Sequence, residues 1–359
     1  MSTPTTLPNE TARRTDEILV SGDSHVTEAP DFWATHLPGQ FRDQAPVFGG
    51  RPNDAKAKDG RPGGSDPHAR LEEMQVDGVS AEVLYPTYAL RLFGLDDARL
   101  QEACFRLYND WLIEYCQVDT NRLVGIPCIA IYDVDHAVAE LERCRKAGLQ
   151  GALIWQAPHP DLPFYSDHYD RFWAAAQDLD APVSLHILTG HNYSKTLDNL
   201  TIESYRGSVN LKTADAANAL FDFIFYGILE RYPRLKLVVV ENEIGWLPFT
   251  LQQWDYYYHR FVKVNPPPIT MPPSAYFDRQ IFASFFNDAV GTRLLDNWGQ
   301  DNCMWSNDYP HANSTWPHSR DVIARHLGHL PADVRAKLVR GNCLKLYQLS
   351  VPELAQHAG

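Results

Sequence analysis

Residues 21–33 read SGDSHVTEAPDFW and follow the apolar residues Ile18, Leu19 and Val20. A β-rich run over about 17–22 thus leads straight into Asp23, His25 and Glu28. Alternate residues of an extended chain point to the same side, so Asp23 and His25 can face one point. Glu28 lies three residues further on and can bend back to it. The same arrangement recurs downstream, with His186 in PVSLHILTG, Glu241 in LKLVVVENEIGW and Asp308 in CMWSNDYPHANSTWP. The end of a strand, where the chain spills into a loop, is where a parallel α/β barrel keeps its chemistry.

Working outward, eight short apolar runs are expected to be strands: 17–22, 81–85, 123–131, 150–155, 182–187, 235–240, 280–284 and 302–306. Their apolar character is continuous, as in strands buried on both faces. Helical patterns separate most of them, among them 97–118, 134–147, 167–179 and 213–231. Asp133 or Asp135 is an N-cap candidate and Gly148 a C-cap candidate. Strand and helix alternating eight times predict a (β/α)8 barrel. The expected organisation is a polar N-terminal arm over 1–16, one barrel domain over 17–350 and a tail over 351–359. Three irregular stretches, 42–69, 190–212 and 262–279, interrupt the pattern. Long loops of this kind serve as lids or as contacts between copies.

Composition narrows the function classes. A formal charge of −13 and the lack of a basic stripe speak against nucleic acid. No run of about 18 apolar residues is present, so no membrane span is expected. The polar start shows no secretory signal pattern, which implies a cytoplasmic protein. Six scattered cysteines without a CxxC pair read as reduced thiols in the core. Neither a G-x-S-x-G elbow nor a glycine-rich nucleotide loop occurs, which disfavours serine hydrolases and nucleotide chemistry.

The six strand-end residues are two imidazoles and four carboxylates. Imidazole suits transition metals, and carboxylate suits harder ions. Six donors exceed what one tetrahedral Zn2+ needs and approach what two bridged metals need. The alternatives for single residues are a hydrogen-bonded core histidine, a loop-capping Asp308 before Tyr309-Pro310 and a turn-capping Glu28. Whether His191 or His311 joins the metal sphere stays open, and His191 is a candidate proton donor. Tyr88, Trp246, Phe285, Phe286, Asn287 and Trp305 are candidates for an apolar substrate wall.

These motifs resemble the amidohydrolase superfamily, and within it the branch that includes aminocarboxymuconate-semialdehyde decarboxylase. The resemblance runs from DSHVTEAPDFW to SNDYPHANSTWP, nearly the whole chain. It implies that Asp23 and His25 stand for an H-x-H pair, His186 for the fifth-strand His and Asp308 for the eighth-strand Asp. Two departures stand out. Asp23 replaces a His, and Glu241-Asn242 stands where relatives hold the sixth-strand His used for proton transfer. Trp155-Gln156 offers no Lys for a carbamate bridge.

The shift towards carboxylate also resembles non-heme di-iron proteins. The chain is similar to a di-iron monooxygenase of this superfamily in platensimycin and platencin biosynthesis, which acts on a diterpenoid CoA thioester. That resemblance implies two Fe ions held by Asp23, His25, Glu28, His186, Glu241 and Asp308, with catalytic roles for Glu241, Asp308 and His191. It also implies O2 as co-substrate, a hydrophobic CoA-linked substrate, an electron donor and a homo-oligomer. The alternatives are a mononuclear Zn or Mn hydrolase or decarboxylase, with Asp308 as base on a metal-bound water, and a barrel that only binds.

Overall fold

The computed structural model describes residues 17–48, 61–191, 210 and 212–351. The expected arm over 1–16, nearly all of the 190–212 loop and residues 352–359 of the tail lie outside the described residues.

All eight expected strands form: β1 (Leu19–Val26), β2 (Val79–Pro86), β3 (Leu123–Gly125), β4 (Ala152–Ile154), β5 (Val183–His186), β6 (Leu237–Val240), β7 (Ile281–Phe285) and β8 (Cys303–Trp305). Every strand residue is buried, which explains the lack of polar alternation in the sequence. All the pairings are parallel, in the orders β1-β2-β3 and β4-β5-β6-β7-β8.

Two seams close these sheets into a (β/α)8 barrel. Between β3 and β4, Leu153 N–H donates to Pro127 O (2.8 Å) and Ile129 N–H donates to Leu153 O (2.9 Å). Pro127 has no N–H, so the ladder breaks there and the expected strand over 123–131 is regular only to Gly125. Between β8 and β1, His25 N–H donates to Tyr309 O (2.6 Å) and Asp308 N–H to Asp23 O (3.1 Å).

The helices start where aspartates can cap them. Asp66, Asp97 and Asp133 each accept two backbone N–H bonds, opening Pro67–Asp77, Ala98–Cys116 and Val134–Lys146. The expected helix 213–231 divides into Lys212–Phe225 and Ile228–Arg231. Gly227 sits between them at φ 72°, where a Cβ would lie 2.6 Å from Pro268 O. The stretch 262–279, expected to be irregular, runs into the helix Pro273–Gln280, opened by its N-terminal proline. The helix Pro67–Asp77 starts inside the stretch 42–69.

A buried polar network locks the β8–β1 seam. The Asn307 side chain accepts from Ser24 Oγ (2.7 Å) and Ser21 Oγ (3.1 Å), and donates to Glu82 Oε1 (2.8 Å) on β2. Glu82 pairs with the buried guanidinium of Arg70, which also donates to His25 O (2.7 Å). Removing one partner of such a pair strands the other charge in the interior. Arg70→Met is therefore expected to destabilise the protein by about 3–5 kcal/mol, read as a lower urea midpoint. An unchanged midpoint would refute this role.

Candidate metal centre

The parallel barrel brings Asp23 and His25 (β1), His186 (end of β5), Glu241 (after β6) and Asp308 (after β8) to one end of the strands. One donor atom from each of Asp23, His25, His186 and Glu241 lies within 4.8 Å of the others. A second set, His25, Glu241, Asp308 and His311, meets the same criterion and shares two members with the first. His25 Nε2 is 3.5 Å from Asp23 Oδ1, 3.4 Å from Asp308 Oδ1 and 3.8 Å from Glu241 Oε2. His186 Nε2 is 3.7 Å from Asp23 Oδ1 and 3.6 Å from Glu241 Oε2.

The other ring nitrogen of each histidine is already engaged. His25 Nδ1 lies 2.8 Å from Pro86 O, and His186 Nδ1 lies 2.7 Å from Ile187 O. A carbonyl only accepts, so each Nδ1 carries the proton and each Nε2 offers a lone pair to the centre. Both Nε2 atoms, both carboxylate oxygens of Asp23 and Asp308 Oδ2 are buried without a hydrogen-bond partner. Buried polar atoms normally find partners. Orphaned donors converging on one point fit a bound cation.

The electrostatics agree. Burial, reinforced by Asp308, pushes the Glu241 carboxyl up to about 8. Burial and the neighbouring Asp23 likewise hold Asp308 well above the usual carboxylate range. Burial lowers His25, helped by His311 and His186. At His186 burial also works downward, but Asp23 and Glu241 outweigh it and lift the imidazole to about 8. These carboxylates oppose one another's ionisation, and a divalent cation removes that conflict. The backbone is bent to present them. Glu241 (φ 59°) and Asp308 (φ 53°) both occupy the left-handed region, a cost that functional sites commonly carry.

The remaining candidates divide. Glu28 is in neither donor set. Its oxygens accept the backbone N–H groups of Tyr88 (2.9 Å) and Ala89 (3.2 Å), so it anchors the loop after β2. Burial, partly offset by those bonds, raises its carboxyl to about 7. His191, expected as proton donor, instead pairs with Asp96 (2.7 Å) in a separate group. His311 joins the centre: its Nδ1 is 2.8 Å from Asp308 Oδ1, and its ring lies 4.0 Å from that of His25.

Of the candidate wall residues, Tyr88, Phe285 and Trp305 pack in the hydrophobic core, and Trp246 packs against it. Phe286 is buried and Asn287 is exposed. Asn242 donates to Gln156 Oε1 (2.8 Å) and Val240 O (2.7 Å), which braces the turn that carries Glu241. Sequence reasoning missed Arg70, Glu82 and Asn307. Nothing in their spacing marks them, because their partners are distant in the chain.

A family model described as Amidohydrolase matches residues 23–349. The chain belongs to the amidohydrolase family. This amidohydrolase is 25% identical over 312 residues to a gamma-resorcylate decarboxylase of Rhizobium sp. (strain MTP-10005), covering 78% of this chain and 86% of that protein. Among solved structures it is similar to 5-carboxyvanillate decarboxylase LigW from Sphingomonas paucimobilis, with a TM-score of 0.73, 23% identity and coverage of 93% and 100% of the two chains. It is also similar to a dihydroxybenzoic acid decarboxylase from Polaromonas sp. JS666, solved with bound manganese and the inhibitor 2-nitroresorcinol. That likeness has a TM-score of 0.68, 20% identity and coverage of 92% and 97%.

These findings overturn the expected di-iron monooxygenase. The sequence relatives are decarboxylases, and loss of CO2 needs neither O2 nor an electron donor. The two Fe ions, the oxidoreductase class and the CoA-linked terpenoid substrate fall with it. Carboxylate count misled here, since a carboxylate-rich cluster also suits one hard divalent ion. No helix among the described residues is long and apolar enough to cross a membrane.

The pKa shifts set the sign of the metal's pH dependence. Below about 8, His186 holds a proton that a cation must displace. Mn2+ affinity is therefore expected to fall as pH drops from 8.5 to 6.5, with proton release visible by calorimetry in buffers of different ionisation enthalpy. Affinity independent of pH would contradict this assignment.

Proposed function

We propose that this amidohydrolase is a metal-dependent decarboxylase of a small hydroxylated aromatic acid, working with one divalent ion such as Mn2+. The observation that carries the proposal is the buried set of unpartnered donors at Asp23, His25, His186 and Asp308, in a chain whose relatives are decarboxylases. Manganese in the Polaromonas structure supports the choice of ion.

Asp23, His25, His186 and Asp308 would hold the ion. When bound, the ion supplies positive charge that holds and polarises an acidic substrate. Glu241 takes the proton-transfer role. It stands where the family resemblance led us to expect a histidine, and its side chain, unlike those of Asp23 and Asp308, is partly exposed (17%). In the metal-free pocket burial holds a proton on this carboxyl, the group that an imidazole would otherwise supply. Protonation of the ring carbon bearing the substrate carboxylate interrupts aromaticity. The C–C bond then breaks, its electron pair restores the ring, and CO2 leaves. Glu241 is left as a carboxylate and regains its proton from water. Asn242 and Ser284 position Glu241, the latter by accepting its backbone N–H (3.0 Å).

The test is CO2 release from 2,6-dihydroxybenzoate and 5-carboxyvanillate by Mn2+-loaded protein. Turnover without O2 consumption is expected; no turnover of any hydroxylated aromatic acid would reject the proposal. Glu241→Gln is expected to lower kcat by about 100-fold or more at unchanged metal content. If the variant loses its metal instead, Glu241 is a ligand and another group moves the proton.

A further inference from the structure

Besides the two overlapping sets of the centre, one group of metal-capable side chains meets among the described residues. One donor atom from each of Asp96, His159 and His191 lies within 4.8 Å of the others. The three come from separate loops, after β2, β4 and β5, at the same end of the barrel as the centre. His191 N–H donates to Ala157 O (2.9 Å), which ties the loop after β5 to the loop after β4. The His159 and His191 rings meet edge-on at 4.3 Å.

The His191 side chain is only 5% exposed, and its Nε2 lies 2.7 Å from Asp96 Oδ1. That contact puts the ring proton on Nε2 and leaves a lone pair on Nδ1. Nδ1 is buried and has no partner. His25 and His186 show the same signature at the main centre: one ring nitrogen bonded, the other buried and unmet. A metal-binding histidine commonly donates its second N–H to a carboxylate, as His191 does to Asp96. His159 Nδ1 accepts the Asp161 backbone N–H (3.1 Å), a bond that opens if that nitrogen coordinates.

We propose that His159 and His191, with Asp96 holding the His191 ring proton, form a second cation site at the barrel mouth, separate from the main centre. Two imidazoles suit a borderline ion of the Zn2+ class, whereas the carboxylate-rich main centre also suits Mn2+. The site does not depend on the decarboxylase assignment.

The test is elemental analysis of metal-free full-length protein after equilibration with Zn2+ alone or Mn2+ alone and removal of excess ion. The wild type is expected to hold two equivalents of Zn2+ but one of Mn2+. His191→Ala and His159→Ala should each lose one Zn2+ and keep the single Mn2+, which also reports an intact barrel. His186→Ala should lose the Mn2+ and keep one Zn2+. Because His159 is only half-buried, its variant decides the matter if His191→Ala fails to fold. A wild type with one Zn2+, or a second Zn2+ that survives in His159→Ala, overturns the proposal. Neither outcome touches the decarboxylase assignment, which is read from CO2 release.

Discussion

Closure of the barrel between β8 and β1 is the constraint on which the rest depends. The two strands do not form a regular ladder with each other; they meet through two backbone hydrogen bonds and the side chain of Asn307. Those backbone bonds start or end on Asp23, His25 and Asp308 themselves, or on Tyr309 next to Asp308. The residues that close the barrel are therefore the residues that offer donors to the centre. Arg70, Glu82 and Asn307 brace this junction, so the position of the donors is set by buried, hydrogen-bonded groups rather than by surface loops.

The charge pattern follows from that confinement. Asp23, Asp308 and Glu241 are brought beside two imidazoles in a buried pocket. Without a cation, the group must keep protons on Glu241 and Asp308, and burial drives both in that direction.

Much of this was legible in the sequence. Parallel barrel strands are buried on both faces, so their apolar runs are continuous and all eight could be found. Strand ends face one mouth by construction, so the sequence pattern alone places Asp23, His25, His186, Glu241 and Asp308 together. What escaped notice depended on single backbone details. Pro127 cuts a strand short, Gly227 splits a helix, and Glu28 turns to bind two amides rather than the centre. The sequence does not decide His311, because a residue three beyond a strand-end ligand can turn either way once the chain leaves regular structure. The chemistry was misjudged for another reason: donor types bound the ion's hardness but do not fix how many ions bind or which reaction follows.

Ser21 and Asn307 touch across 286 positions of chain. During synthesis, the first donors emerge from the ribosome long before the last. Asp23 must wait for the next 285 residues to be made before Asp308 can join it. Contacts of such long range carry a heavy loop-closure entropy and form late. The nascent chain therefore cannot assemble its full donor set early. A cation that needs the full set would thus be met by a finished pocket and not by a loose peptide.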